Sequence, residues 1–441
     1  MKNRHTIRNS LLSVLMLGAV ILSSASCNNQ PKNVSDVTAK ASASSVVSEA
    51  SKPESSVWTP SAAESVVSAS SEVSGQPQSS AETHSSDSSL FTTPEEYRDG
   101  GIFSAYYDDA YRYLSSMTLD EKIGQMLMSG LPYEDQVETA RDFHLGGFVL
   151  FGNDFSYKTK EQVVSMITSL RSSQKVPLCF AVDEEGGTVT RISSKTALSD
   201  HEFMSPRELY KNGGMAYIQS DANDKAALLN ELGIDVNLAP VCDISTNKKD
   251  FMYDRSLGED ANTTAEFVRI VTEMSQRGGV SVTLKHFPGY GGNSDTHKSS
   301  SVDTRTLEEL KKNDLVPFEA GIKAGAHFVM VSHNIVNCLD EEKPASLSPD
   351  VHKLLREDMG FTGLIITDDL SMSAVTKYSG GETPAVAAVL AGNDIMIITP
   401  GMIESSFNSI KEAVESGKIS ESTVNHAALR IIAWKYATGM M

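Results

Sequence analysis

The densest run of reactive side chains lies between residues 285 and 297, which read Lys-His-Phe-Pro-Gly-Tyr-Gly-Gly-Asn-Ser-Asp-Thr-His. Three glycines and a proline predict a loop here rather than a helix. Asp295 and His297 are two positions apart, so in an extended stretch their side chains point the same way. A carboxylate beside an imidazole fixes its tautomer and favours its protonated form, which is the state a proton donor needs. The alternative is a solvated loop with unrelated polar residues, and spacing alone leaves both readings open. Elsewhere, polar residues terminate apolar runs: Asp183, the stretch 235–243, Lys285 with His286, His333, and Asp368 with Asp369. A single residue of this kind is often a cap. A carboxylate, cation or imidazole ending five runs points instead to a shared site. Asp368 or Asp369 alone reads equally well as a helix N-cap, and that role is expected for Asp369.

Eight short apolar runs, at 126–129, 147–151, 178–182, 234–238, 281–284, 328–331, 364–367 and 395–398, alternate with amphipathic stretches such as 160–172, 263–276, 306–323 and 405–415. Two helix starts carry a capping box, Thr118 with Glu121 and Thr306 with Glu309. Near-continuous apolar strands separated by helices predict a parallel sheet covered on both faces. Eight such units predict an α/β fold of the TIM-like (β/α)8 barrel type, in which residues at the C-terminal strand ends converge. A doubly wound open sheet would carry a glycine-rich nucleotide turn after its first strand. The chain has no such turn, so that architecture ranks second. One catalytic domain is expected over residues 93–441.

These segments carry a resemblance. The run 285–297 resembles the KHFPGHG…D-S-H signature of family 3 glycoside hydrolases, in their bacterial β-N-acetylhexosaminidase branch. Asp183-Glu184-Glu185-Gly186-Gly187 resembles DQEGG, and Leu238-Ala239-Pro240-Val241 resembles the APV run. Asp254-Arg255-Ser256-Leu257-Gly258 resembles the DRSFG turn, Thr367-Asp368-Asp369-Leu370-Ser371-Met372 resembles SDDLSM, and Ala391-Gly392-Asn393-Asp394 resembles a structural AGxD run. The matches follow the family's order from about residue 115 to 400. They imply a TIM-like barrel and an exo-acting, retaining β-N-acetylhexosaminidase without cofactor or metal. Asp368 would be the nucleophile, His297 the general acid/base and Asp295 its partner. Asp183, Arg191, Arg255, Lys285 and His286 would bind a terminal N-acetylglucosamine, with His333 nearby. Retaining hydrolysis requires a carboxylate to capture an oxocarbenium-like centre and an acid to protonate the departing oxygen. Tyr290 stands where the family has a second loop histidine, Thr188 stands at the arginine of EGGR, and the loop is slightly short. These departures bear on leaving-group preference and not on the reaction type. The family's glucosidase branches draw their acid from an additional domain, and none is expected in this chain.

Composition narrows the partners. Asp and Glu number 57 against 38 Lys and Arg, a net charge of −19. The first 27 residues hold three bases and no acid, which leaves the remainder at −22. Such a surface repels phosphate backbones, excluding nucleic acid as a partner, and it repels an anionic membrane unless something covalent holds it there. The N-terminus predicts that anchor. Lys2, Arg4 and Arg8 precede an apolar run at 11–22, too short to span a bilayer, then small residues and Cys27. The segment resembles a bacterial lipobox. It implies a signal peptide over residues 1–26 and a lipidated Cys27 that anchors the protein outside the cytoplasmic membrane. The alternative is an ordinary cleaved signal with an incidental cysteine. Residues 27–92 read as a disordered tether: positions 31–90 contain 20 serines and one aromatic, Trp58, too little apolar surface to offset ordering entropy. Cys179 and Cys242 are expected to be buried thiols. With Cys338 they make an odd number without a CxxC pair, which argues against a disulfide framework or a zinc site. The expected protein is a monomer acting on small muropeptide-type carbohydrates.

Three other readings compete. A family 3 β-glycosidase of other sugar specificity would share every segment above. A metal-dependent amidohydrolase would need an HxH pair after the first strand, and residues 126–132 hold none. A tethered solute-binding lipoprotein would be a two-lobed open α/β protein and would not need Asp368, Asp295 and His297 together.

Overall fold

The computed structural model describes residues 92–293 and 301–441. Eight parallel strands form the centre: β1 (Leu127–Gly130), β2 (Gly147–Leu150), β3 (Cys179–Val182), β4 (Val236–Asn237), β5 (Ser281–Phe287), β6 (Phe328–Val331), β7 (Leu364–Thr367) and β8 (Met396–Ile398). Each of the eight apolar runs contains or overlaps one of them. Adjacent strands pair in chain order, and β8 returns to pair with β1 in the register Leu127↔Met396. The ring closes between β7 and β8 through the parallel bridge Ile366↔Ile395 and a 3.1 Å bond from the Ile395 amide to the Ile365 carbonyl. The expected TIM-like barrel is therefore the observed one. Every residue of the eight strands is buried, because helices cover the outer face while side chains fill the interior.

Local sequence explains the helix limits. Both expected capping boxes are present, with Thr118 and Thr306 accepting from the amides of Glu121 and Glu309. The stretch 306–323 is two helices rather than one, Leu307–Lys312 and Leu315–Lys323, broken at Asn313 (φ −122°, ψ −73°). Pro317 supplies the reason: it has no N–H to bond the Asn313 carbonyl, and its ring crowds that carbonyl, yet it is accommodated in the first turn of the second helix. A short parallel ribbon, Val302–Asp303 with Ile335–Val336, was not legible in the hydrophobic pattern.

The C-terminal helix Glu421–Ala437 seals the end of the barrel where the strands begin. Its Lys435 is fully buried, and Nζ donates to Gln125 Oε1, the Gly146 carbonyl and the Pro177 carbonyl at 2.7, 3.1 and 2.8 Å. All three partners precede a strand, so this end is closed by packing and hydrogen bonds. Among the described residues, the opposite end holds an open cleft. Cys179 and Cys242 are buried free thiols as expected, while Cys338 is exposed.

Candidate active site

The C-terminal strand ends surround an open cleft of about 1000 Å³. Its wall includes Asp183 and Arg191 after β3, Arg255 from the loop after β4, Lys285 and His286 of β5, and Asp368 and Asp369 after β7. Its floor is apolar: Val149, Leu238, Met330 and Ile397. Thus five of the expected sugar ligands and the expected nucleophile share one cavity.

The three successive acids after β3 have different partners. Asp183 Oδ1 accepts from Lys285 Nζ at 2.7 Å, and its Oδ2 lies 3.8 Å from Arg191 Nη2. Glu184 is fully buried and accepts from the backbone amides of Arg191, Ile192 and Ser193, which shapes the segment carrying Arg191. Glu185 turns the other way and takes Arg255 on both oxygens, at 2.9 and 2.6 Å, with Lys285 Nζ at 2.6 Å from Oε1. The turn that follows demands glycine at position 186: φ is +101°, and a Cβ there would sit 2.2 Å from the Met204 carbonyl oxygen.

His286 is oriented by Asp243, whose Oδ2 lies 2.7 Å from Nδ1 and whose Oδ1 accepts from the Tyr290 amide at 2.6 Å. Arg255 Nη2 lies 3.3 Å from His286 Nε2. A guanidinium only donates, so Nε2 accepts and Nδ1 carries the proton that Asp243 receives. At β7, the Asp368 amide donates to the Val331 carbonyl and Asp368 Oδ1 accepts from the Asp369 amide at 2.9 Å, fixing the carboxylate on the strand end.

Residues 118–434 match the glycosyl hydrolase family 3 N terminal domain. The chain belongs to glycoside hydrolase family 3. It is 34% identical over 289 residues to a β-hexosaminidase of Xylella fastidiosa strain M23, covering 62% of this chain and 82% of that one. It is 30% identical over 325 residues to β-hexosaminidase LpqI of Mycobacterium tuberculosis, covering 71% and 82%. Among solved structures, a family 3 β-N-acetylglucosaminidase from Paenibacillus sp. FPU-7 superposes with a TM-score of 0.68 at 31% identity. That match covers 74% of this chain and 63% of the other, so the chain spans under two thirds of that structure's length.

In this family 3 glycoside hydrolase, Asp295 and His297 lie outside the described residues. The start of their loop is tied down from below by Arg305, whose Nη2 donates to the Gly289 carbonyl at 3.1 Å while Nη1 contacts Asp314 at 2.6 Å and the rest of the guanidinium bonds Asp303. Tyr290 is buried with its ring edge-on to His286 at 5.5 Å and tilted against Phe251 at 5.6 Å. His333 is fully buried outside the cleft lining. Its Nδ1 is 2.7 Å from Ser346 Oγ and its Nε2 is 3.0 Å from the Asp369 carbonyl, so it supports the turn that carries Asp368. Asp369 is not the expected helix N-cap. The next helix, Ser373–Thr376, starts after Met372, and Asp369 Oδ1 accepts from the Ser371 amide, a local turn that competes with capping.

Charge in this site is unevenly balanced. Burial would raise the Glu185 carboxyl, but Lys285 and then Arg255 overturn that and hold it well below the usual carboxylate range. Burial would likewise lower Lys285, and Asp183 and Glu185 reverse it, keeping the ammonium charged. The cleft therefore presents fixed, charged hydrogen-bond donors. Sequence reasoning missed Glu185 as a functional candidate, and reached Asp243 only as part of a polar stretch without a role. The only available signal was that Glu185 belongs to the DEEGG run and that Asp243 ends the stretch 235–243.

Proposed function

We propose that this family 3 enzyme is an exo-acting, retaining β-N-acetylhexosaminidase that releases N-acetylglucosamine from non-reducing ends of small peptidoglycan fragments. The observation that carries the reading is Asp368, fixed at the end of β7 in the same cleft as Asp183, Arg191, Arg255, Lys285 and His286. Strand β7 lies across the ring from β3, so the nucleophile faces the group of donors and acceptors expected to grip the sugar. In the first step an Asp368 oxygen forms the bond to the anomeric carbon as the glycosidic C–O bond breaks, and His297 gives its proton to the departing oxygen. In the second step His297 takes a proton from water, which displaces the aspartyl ester. Asp295 positions that imidazole. The names of the relatives support the N-acetyl preference. Hydrolysis of a chromogenic aryl N-acetyl-β-glucosaminide, compared with the matching β-glucoside, tests it. The N-acetyl substrate is expected to be strongly preferred, and equal or faster cleavage of the glucoside would contradict the assignment.

The place of action is part of the proposal. The signal segment, Cys27 and the Ser-rich tether support a lipid-anchored enzyme outside the cytoplasmic membrane, acting as a monomer. The acidic chain suits small soluble fragments better than an intact anionic wall. With Cys27→Ala, cell fractionation is expected to move the protein out of the membrane fraction, and persistence there would show that lipid is not the anchor.

A further inference from the structure

We propose that Glu185 is a positioning residue of this reaction, holding Lys285 and Arg255 as one rigid pair of donors to the sugar. The inference rests on reading Lys285 and Arg255 as sugar ligands, and it assigns the group that sets their geometry. Lys285 Nζ and Arg255 Nη2 both bond the same oxygen, Glu185 Oε1, at 2.6 Å each. The two nitrogens are therefore no more than about 5 Å apart, a spacing that serves neighbouring hydroxyls of one pyranose ring. Two cations do not approach that closely in a buried site unless an anion lies between them. Asp183 also contacts Lys285, but it faces the cleft and is expected to accept from the substrate. Glu185 does not line the cleft, and its side chain is 1% exposed. Its effect on the sugar therefore passes through the two cations.

Glu185 is itself held from behind. Lys225 Nζ, on the helix Pro206–Leu232, donates to the Glu185 carbonyl oxygen and to Asp221 Oδ2, both at 3.0 Å. Lys225 also lies over the Phe203 ring at 5.0 Å. A covering helix thus fixes the backbone of the acid that fixes the donors. The carboxylate has a second consequence, because positive charge develops at the anomeric carbon in the transition state. Without Glu185, two cleft cations would lose their common counter-charge near that centre.

The test is a double-mutant cycle on an aryl N-acetyl-β-glucosaminide, with kcat and KM measured separately for wild type, Glu185→Gln, Lys285→Met and the double variant. Glu185→Gln is expected to lower kcat/KM about 100-fold. The same substitution made on Lys285→Met is expected to cost less than about 10-fold, because one of the donors it positions is already gone. The double variant leaves the net charge of the cluster unchanged, and Glu185→Asp, which keeps the carboxylate but shortens the reach, is expected to fold and to fall between wild type and Glu185→Gln. Equal losses in both backgrounds would overturn the proposal, as would a loss that tracks only the folded fraction by circular dichroism. An unimpaired Lys285→Met would strike the reading of Lys285 as a sugar ligand, and the proposal with it.

Discussion

Asp368→Ala is expected to lower turnover of an aryl N-acetyl-β-glucosaminide by about 10⁴-fold or more, with the fold retained. The magnitude follows from the role, since without the carboxylate no covalent intermediate forms and the oxocarbenium-like centre loses its counter-charge. The fold should survive because Asp368 is half-buried on the cleft wall, not packed in the hydrophobic core. Asp369→Ala is the matched control. Its carboxylate is engaged by the Ser371 amide, so that change should cost less than about 10-fold, as the loss of a local turn contact. Steady-state rates with circular dichroism on both variants check the pair. An Asp369 variant as damaged as the Asp368 variant would move the nucleophile or remove the distinction between them.

His297→Ala is expected to split substrates by leaving group. General acid catalysis supplies about 10²- to 10⁴-fold where the leaving oxygen is poor, as in a sugar, and little where an activated phenol departs unaided. The kcat/KM for a disaccharide should therefore fall about 10³-fold, while that for a dinitrophenyl substrate should change by less than about 10-fold. Asp295→Asn should follow the same trend more mildly, because it weakens the imidazolium without removing it. Equal losses on both substrates would argue against an acid role for His297.

How much of this was legible in the sequence depends on the range of the interaction. Strands were legible because β1 to β8 are buried along their whole length, so each appears as an unbroken apolar run bounded by polar residues. Capping boxes at Thr118 and Thr306 were legible because their partners are three residues away. The break at Asn313 was signalled by Pro317, yet the amphipathic period runs across it and conceals it. Long-range pairing was invisible. Nothing in the order of residues says that Asp243 meets His286, or that Glu185 meets Arg255 70 positions on. Nor does alternation say that Asp183 faces the cleft while Glu185 turns beneath it, because the glycine turn at 186 redirects the chain immediately afterwards. His333 was found as a strand-end histidine, but the direction of its ring, toward Ser346 and the Asp369 carbonyl, is set by tertiary packing.

A retaining reaction with Asp368 as nucleophile is the central claim, and the anomer first released reports on it most directly. Hydrolysis of an aryl N-acetyl-β-glucosaminide is followed by proton NMR from the first minutes, before mutarotation mixes the products. Two displacements at the anomeric carbon predict that β-N-acetylglucosamine appears first and the α anomer only later. An α anomer appearing first would mean a single displacement by water, and it would contradict the nucleophilic role given to Asp368.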